Sequence, residues 1–396
     1  MKGSVYKVER KKGYKWKAQV DLPKRDGEKR KRKTQICDTK SAAEDWVRKI
    51  QNEIDEYGFN IDKGDQTLRK YMKNWLKKIS KKNHRPKTHY DYKKIVQTHI
   101  VPELGDVRMK NLTPSKLQEF VHEKSENGRV DSEGGLSVGS VKKIFHVLSG
   151  ALTHAVKMKI IRSNPAKGVE LPKDNRKQDE KYETWSNEEL RRFLEVSKEE
   201  SSYGPVYRMA AHYGLRISEI TGLRWSDIDF EKRKIQISQS LVQIGGKMKF
   251  GPPKTKEGER EIEFTKDMNS RLKKHKQQQN KRKMKLGPSW EGEHELVFPA
   301  TNGAPLRHRN LRREFNQLIE KAGVPQVRFH SLRHSCATLL LEQNEHPKIV
   351  KKLLGHSSIE TTLDTYSHVS TDLQARACQK LEDNLEDNNG QGTRGV

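Results

Sequence analysis

The stretch "YKWKAQVDL" (Tyr14 to Leu22) alternates without interruption, setting Tyr14, Trp16, Ala18, Val20 and Leu22 against Lys15, Lys17, Gln19 and Asp21. Successive side chains of a strand point to opposite faces, so this pattern predicts a strand with one buried side. "SVYKV" before it and the basic end of "PKRDGEKRKRKTQI" after it read as two more strands, with the Pro/Gly segment as a turn. The period then changes. Ala43, Trp46, Val47, Ile50, Ile54 and Tyr57 recur at helical spacing, with Ser41 as the expected N-cap and Glu44 completing a capping box. Residues 1–62 are therefore expected to form a three-stranded sheet covered on one face by a helix. The lysine-studded opposite face is left for solvent or for DNA, since a small sheet fits a major groove.

Residues 63–172 read as wholly helical. Leu68, Tyr71, Met72, Trp75, Leu76 and Ile79 line one face of a helix whose other side carries Arg69, Lys70, Lys73, Lys77 and Lys78. Ser137 caps a second segment in which Val141, Phe145, Leu148, Leu152 and Ala155 keep the same spacing, and Pro165, Gly168 and Pro172 punctuate its end. The polar run at 173–183 reads as a linker. From 184 to 381 helices dominate again, opening on a Ser186/Glu189 capping box. They are interrupted by "KIQISQSLVQIGGKMKFGPPKTKEGEREIEF", which predicts two or three antiparallel strands with turns at Gly245-Gly246 and Glu257-Gly258. Residues 382–396 are acidic and Asn/Gly-rich, the composition of a flexible tail.

Composition narrows the partner. Lysine and arginine total 80 against 53 acidic residues, a formal charge of +27. Such an excess repels itself unless a polyanion offsets it, so nucleic acid is the first candidate. There is no run of about 18 apolar residues, and charge rather than an apolar core follows Met1, so no membrane partner is expected and an intracellular protein is. Cys37, Cys336 and Cys378 are odd in number and far apart, which fits a reducing compartment.

Four short signals in the last block bear on chemistry. "GLRISEI" places Glu219 three residues after Arg216, a spacing that also describes an ordinary solvated helix pair. "PPKTKEGEREI" puts Lys254 at a tight, hairpin-like turn, with Lys256 in the same turn. "FHSLRHSCATLLL" sets His330 and Arg333 on one face at the lip of an apolar helix. His330 and His334 have the spacing of a zinc pair, but no glutamate base lies between them and Arg333 would repel a dication. "LLGHSSIETTLDTYSHV" delivers His356 at a helix end capped by Gly355. It places Tyr366 on the same face as Ile359 and Leu363, where a packed ring is the competing reading.

Taken together, arginine, lysine, histidine-x-x-arginine, glycine-histidine and tyrosine follow in order over about 150 residues of a basic chain. In this the sequence resembles the tyrosine recombinases, specifically the integrases of temperate bacteriophages and conjugative transposons, over nearly its whole length. The resemblance implies a multidomain, mainly α fold with α+β parts. Residues 1–62 are then an arm-type DNA-binding domain of sheet plus helix and 63–172 an all-α, SAM-like core-binding domain. Residues 173–183 are a linker, 184–381 a mixed α/β catalytic domain and 382–396 a flexible tail. It also implies catalytic roles for Arg216, Lys254, His330, Arg333, His356 and Tyr366.

Those residue types suit phosphodiester chemistry. Two guanidinium forks, Arg216 and Arg333, can hold nonbridging oxygens in fixed geometry. A tyrosine hydroxyl with a pKa near 10 needs a proton acceptor, for which His330 is the candidate, while Lys254 or Lys256 can protonate the leaving 5′ oxygen and His356 can position the phosphate. A 3′-phosphotyrosine keeps the energy of the broken bond, so no ATP, metal or other cofactor is expected. The expected partners are double-stranded DNA at core and arm attachment sites and a homotetramer assembled on it, with room for an excisionase and a host DNA-bending protein. The expected location is the nucleoid-associated cytoplasm of a bacterial host. A type IB topoisomerase and a non-catalytic DNA-binding regulator are the alternatives. The first needs no arm-like domain, and the second leaves the ordered polar set unexplained.

Overall fold

The alternation at Tyr14–Leu22 closes into an antiparallel sheet in the computed structural model, which describes residues 3–10, 13–22, 32–57, 64–173 and 184–360 together with Leu363, Gln379 and Glu382. Strands β1 (Gly3–Arg10), β2 (Gly13–Asp21) and β3 (Arg32–Cys37) pair in that order. Helix α1 (Lys40–Tyr57) buries Ala43, Val47, Ile50 and Ile54 against Ala18, Val20 and Leu22. Two expectations are corrected here. Thr39, not Ser41, caps α1, its Oγ1 accepting the Ala42 amide at 3.2 Å. The chain enters the helix two residues after β3 ends, too soon for Ser41 to lie outside the first turn. Tyr14 is 58% exposed, with the Lys7 ammonium 4.2 Å over its ring. It sits beside the Gly13 turn at the strand end, so alternation fixes its face without providing a cover.

Residues 64–173 carry a separate helical core. Helix α2 (Leu68–Trp75) runs on through a wider π turn at Leu76–Ser80 and is followed by α3 (Pro86–Ile95), α4 (Pro114–Asn127) and α5 (Val138–Lys157). Thr67, Thr113 and Ser137 cap α2, α4 and α5 by accepting an otherwise unpaired amide of the first turn. Leu68, Met72, Ile100, Leu117, Leu148 and Leu152 are fully buried in this core.

The chain divides into two compact units between Asn175 and Arg176. Most of the expected linker, 174–183, and all of the tail except Glu382 lie outside the described residues. The second unit opens with the Ser186/Glu189 capping box on α6 (Asn187–Glu200), then α7 (Gly204–Tyr213) and α8 (Ile217–Gly222). Strands β4 (Ile228–Asp229), β5 (Lys234–Ile237), β6 (Ser240–Ile244), β7 (Lys247–Gly251) and β8 (Arg260–Glu263) follow. The unit continues with α9 (Lys266–Leu286), α10 (His308–Ala322), α11 (Ser331–Glu342) and α12 (Pro347–Leu354). Among the described residues no helix is long and apolar enough to cross a membrane.

The strand segment differs from its expectation. It sorts into two sheets, β4-β5-β8 and a β6-β7 hairpin that turns at Gly245-Gly246. Hairpin strand β6 is drawn onto α8, where a Cβ on Gly222 would stand 2.9 Å from the Leu241 backbone nitrogen and Leu241 is fully buried. Lys254 therefore does not sit at a hairpin tip. It lies in the loop between β7 and β8, strands that belong to different sheets.

A cluster of rings anchors this unit. Phe193 stands edge-on to Phe315 at 5.2 Å and to Tyr207 at 5.5 Å, and Phe329 packs on Phe315 at 5.4 Å. Phe315→Ala is expected to destabilise the unit by about 3–5 kcal/mol, the usual cost of emptying a buried aromatic site. Urea unfolding followed by tryptophan fluorescence checks this, and a loss below about 1 kcal/mol contradicts the packing described.

Candidate active site

Helix α7 ends at Gly214 in the left-handed conformation (φ 59°), and the chain turns at once into Arg216, the N-cap residue of α8. The turn is crowded. A Cβ on Gly214 would meet Leu354 Cδ2 at 2.0 Å, which brings the end of α12 against the end of α7. Arg333, in the first turn of α11, reaches the same point and donates from Nη1 to the Gly214 carbonyl at 2.6 Å. Three segments distant in sequence thus converge on one backbone position.

The Arg216 backbone amide and guanidinium both bind the Glu219 carboxylate, at 3.1 and 2.7 Å, and Nη2 leans on the Gly355 carbonyl at 3.4 Å. Glu219 is only 2% exposed, so the solvated-pair reading of Arg216 and Glu219 is incorrect. Its second oxygen accepts from Arg260 Nη2 at 3.2 Å. Burial pushes the Glu219 pKa up, but Arg260 and Arg216 together hold it below the ordinary carboxylate value, so it stays ionised.

Arg333 is 2% exposed, and among the described residues its Nη2 has no hydrogen-bond partner. Burial and the neighbouring Arg216 bring its pKa down to about 9, which leaves it charged at neutral pH. A buried, charged donor without an acceptor costs about 1–3 kcal/mol or more. The donor set calls for an oxyanion.

His330 precedes α11 as its N-cap residue, and its ring lies 4.9 Å from His334 in an edge-to-face arrangement. It is open to solvent on one side. The protein around the rest of the ring, then His334, Arg333 and Arg216, still push its pKa down to about 4. His356 follows Gly355, the left-handed cap of α12 (φ 66°), and is nearly buried. Burial, Arg333 and Arg216 push it down to about 3. Both rings are neutral at pH 7. Among the described residues no set of three or more histidine, cysteine and carboxylate groups is placed to hold a metal ion.

Of the residues singled out from sequence, Arg216, His330, Arg333 and His356 meet in this pocket. Lys254 and Lys256 are exposed and make no ion pair among the described residues, although their turn abuts the site: a Cβ on Gly355 would lie 2.6 Å from the Glu257 carbonyl. Tyr366 lies outside the described residues. Sequence reasoning missed Arg260 and the central place of Glu219. The signal for Arg260 was available: in "REIE" the burial alternates, and the arginine stands on the inward face with Ile262.

A cationic pocket with a guanidinium donor left without an acceptor among the described residues is suited to a phosphate-like oxyanion. Comparison with known proteins makes this specific. The phage integrase family matches residues 184–372, and the phage integrase N-terminal SAM-like domain matches residues 67–125. A protein named tyrosine recombinase XerC-like from Caldanaerobacter subterraneus subsp. tengcongensis is 28% identical over 357 residues, covering 86% of this chain and 88% of that protein. The ICEBs1 integrase of Bacillus subtilis is 28% identical over 303 residues, covering 76% and 79%. Among solved structures, the Tn1549 transposon integrase in complex with a circular intermediate DNA has a TM-score of 0.63 at 21% identity, covering 80% of this chain and 99% of that one. A lambda integrase dimer bound to a COC′ core site has a TM-score of 0.53 at 19% identity, covering 76% and 95%. The chain belongs to the phage integrase family, the tyrosine recombinases.

The depressed His356 pKa has a measurable consequence. Unfolded, the ring titrates near 6.5; folded, near 3. Below pH 6.5 the unfolded chain binds a proton that the folded chain does not. The stability from His356 is therefore full above about pH 6.5 and is lost progressively as pH falls toward about 3. The urea midpoint of the second unit is expected to fall over that window, and less steeply in His356→Asn than in the wild type. Equal slopes contradict the assignment.

Proposed function

We propose that this chain is a site-specific DNA recombinase, an integrase that cuts and rejoins DNA strands through a 3′-phosphotyrosine intermediate to integrate and excise a mobile element. The observation that carries the reading is the buried Arg333 guanidinium, whose Nη2 faces no acceptor among the described residues. A scissile phosphate supplies that acceptor. Arg216, held by Glu219, offers the second fork across the same pocket.

In the reaction the Tyr366 oxygen bonds to phosphorus and the bond to the 5′ oxygen breaks. His330 takes the phenolic proton and Lys254, with Lys256 as the alternative in the same turn, gives a proton to the leaving oxygen. His356 hydrogen-bonds the phosphate. In the unliganded pocket burial, and after it the neighbouring cations, keep both histidines poor bases. An arriving phosphate offsets the charges of those cations and raises both pKa values, so His330 is a better proton acceptor when substrate is present. Rejoining reverses the step with a second 5′ hydroxyl, and the energy conserved in the phosphotyrosine makes ATP unnecessary.

Double-stranded DNA is the substrate. The charge of +27 fits it, and so do the DNA complexes described for the Tn1549 and lambda integrases. In this reading residues 63–172 and 184–381 grip the core site, mostly through phosphates and so with strong salt dependence. Residues 1–62 take the arm site, which tethers two sequences through effective concentration. Exchange between two duplexes needs four strand cuts and therefore a tetramer on DNA. An excisionase and a host bending protein fit the same scheme as directionality and architecture factors.

A nicked duplex carrying the junction of the excised circular element tests the reading. Wild type is expected to become covalently attached in a denaturing gel, and Tyr366→Phe is expected to leave all DNA free. Arg333→Lys, which keeps the charge but loses the fork, is expected to cleave about a hundredfold to a thousandfold more slowly. Attachment that persists in Tyr366→Phe removes the nucleophile assignment.

A further inference from the structure

Arg260 is a cation on the apolar side of a strand. In β8 it shares the buried face with Ile262, while Glu261 and Glu263 face solvent. Its guanidinium is fully engaged within the protein. Nε donates to the Leu353 carbonyl at 2.7 Å, Nη1 to the Gly258 carbonyl at 3.0 Å and Nη2 to Glu219 Oε2 at 3.2 Å. Each acceptor belongs to a segment that carries a different part of the site. Gly258 closes the turn bearing Lys254 and Lys256. Leu353 lies in the last turn of α12, three residues before His356. Glu219 holds Arg216.

The fit leaves no slack. A Cβ on Gly355 would lie 3.0 Å from Arg260 Nη1, so the glycine that caps α12 also lets the guanidinium pass beneath it. Only a planar fork with several donors spans three carbonyl and carboxylate acceptors in one plane.

We propose that Arg260 is a positioning residue, which locks the lysine-bearing turn and the approach to His356 onto Glu219, so that proton donor and phosphate ligands share one rigid frame. It does not touch the phosphate. The inference rests on the recombinase reading above, with a lysine of that turn as the proton donor to the leaving oxygen.

The variant Arg260→Lys keeps a positive charge opposite Glu219 but cannot hold three fixed acceptors at once. Full-length wild type, Arg260→Lys, Lys254→Ala and Lys256→Ala are compared in single-turnover cleavage of the nicked junction duplex. The duplex is made with either an ordinary scissile phosphodiester or a 5′-bridging phosphorothiolate. The sulfur substrate leaves as a thiolate, a group with a pKa near 8.5 that departs without a proton from the protein. Arg260→Lys is expected to cleave the phosphodiester about a hundredfold more slowly, the scale of loss when a reacting group shifts by about 1 Å, and to recover to within about tenfold of wild type on the phosphorothiolate. Circular dichroism at the assay temperature checks folding. If the lysine variant is unfolded, Arg260→Gln, neutral and still a donor, is read in the same way.

Wild-type speed on the phosphodiester overturns the proposal, and so does an equal loss on both substrates. A wild type that forms no Tyr366-dependent covalent complex instead strikes the recombinase reading. If sulfur rescues neither Lys254→Ala nor Lys256→Ala, the lysine turn is not the proton source and the proposal falls with it.

Discussion

The arginines on one side of the candidate site lean on one buried carboxylate. Glu219 lies between the guanidinium groups of Arg216 and Arg260, at 2.7 and 3.2 Å. Removing one partner of a buried ion pair typically costs about 3–5 kcal/mol, because the survivor is left charged and dry. The carboxylate therefore enforces the position of both arginines. Through Arg260 it also fixes the lysine turn and the last turn of α12.

One negative charge does not balance the pocket. Arg216, Arg260 and Arg333 surround it, and burial, reinforced by the leftover positive charge, keeps His330 and His356 neutral. The imbalance is useful because it is preorganised. In the proposed reaction the donors are already aimed when an oxyanion arrives, so little reorganisation is needed as charge develops in the transition state. The cost is borne by the fold, since an unsatisfied buried guanidinium and clustered cations are destabilising. The ring cluster of Phe193, Tyr207, Phe315 and Phe329 offsets that cost in the same unit.

Much of the architecture was legible from the chain. Period-two alternation located β2, helical stripes located α1, α2 and α5, and capping residues at Ser137 and Ser186 marked helix starts that the structure reproduces. Errors arose where local signals compete. Ser41 and Thr39 are both capping residues within three positions, and only the exit path of β3 selects Thr39. The basic segment contains strands, but which strand pairs with which depends on β6 docking against α8, a contact between residues that no local pattern links. In the site, Arg216, His330, Arg333 and His356 were nominated from sequence and meet in the structure. Glu219 was nominated only as an ordinary surface pair, since spacing alone does not report burial.

What the sequence determined by itself was local: the period of each element, its caps, the basic charge that demands a polyanion, and the residue types suited to phosphate. Those properties depend on neighbours within a turn or two of the chain. The tertiary structure decided which groups share a volume. It carried Gly214, Arg333 and Leu354 to one point and placed Arg260 beneath Gly355. It also buried Glu219 among cations that lie up to 114 residues away in the chain, in the case of Arg333. Pairing strength and pKa depend on distance through space and on the exclusion of water, and neither quantity exists until the chain has packed.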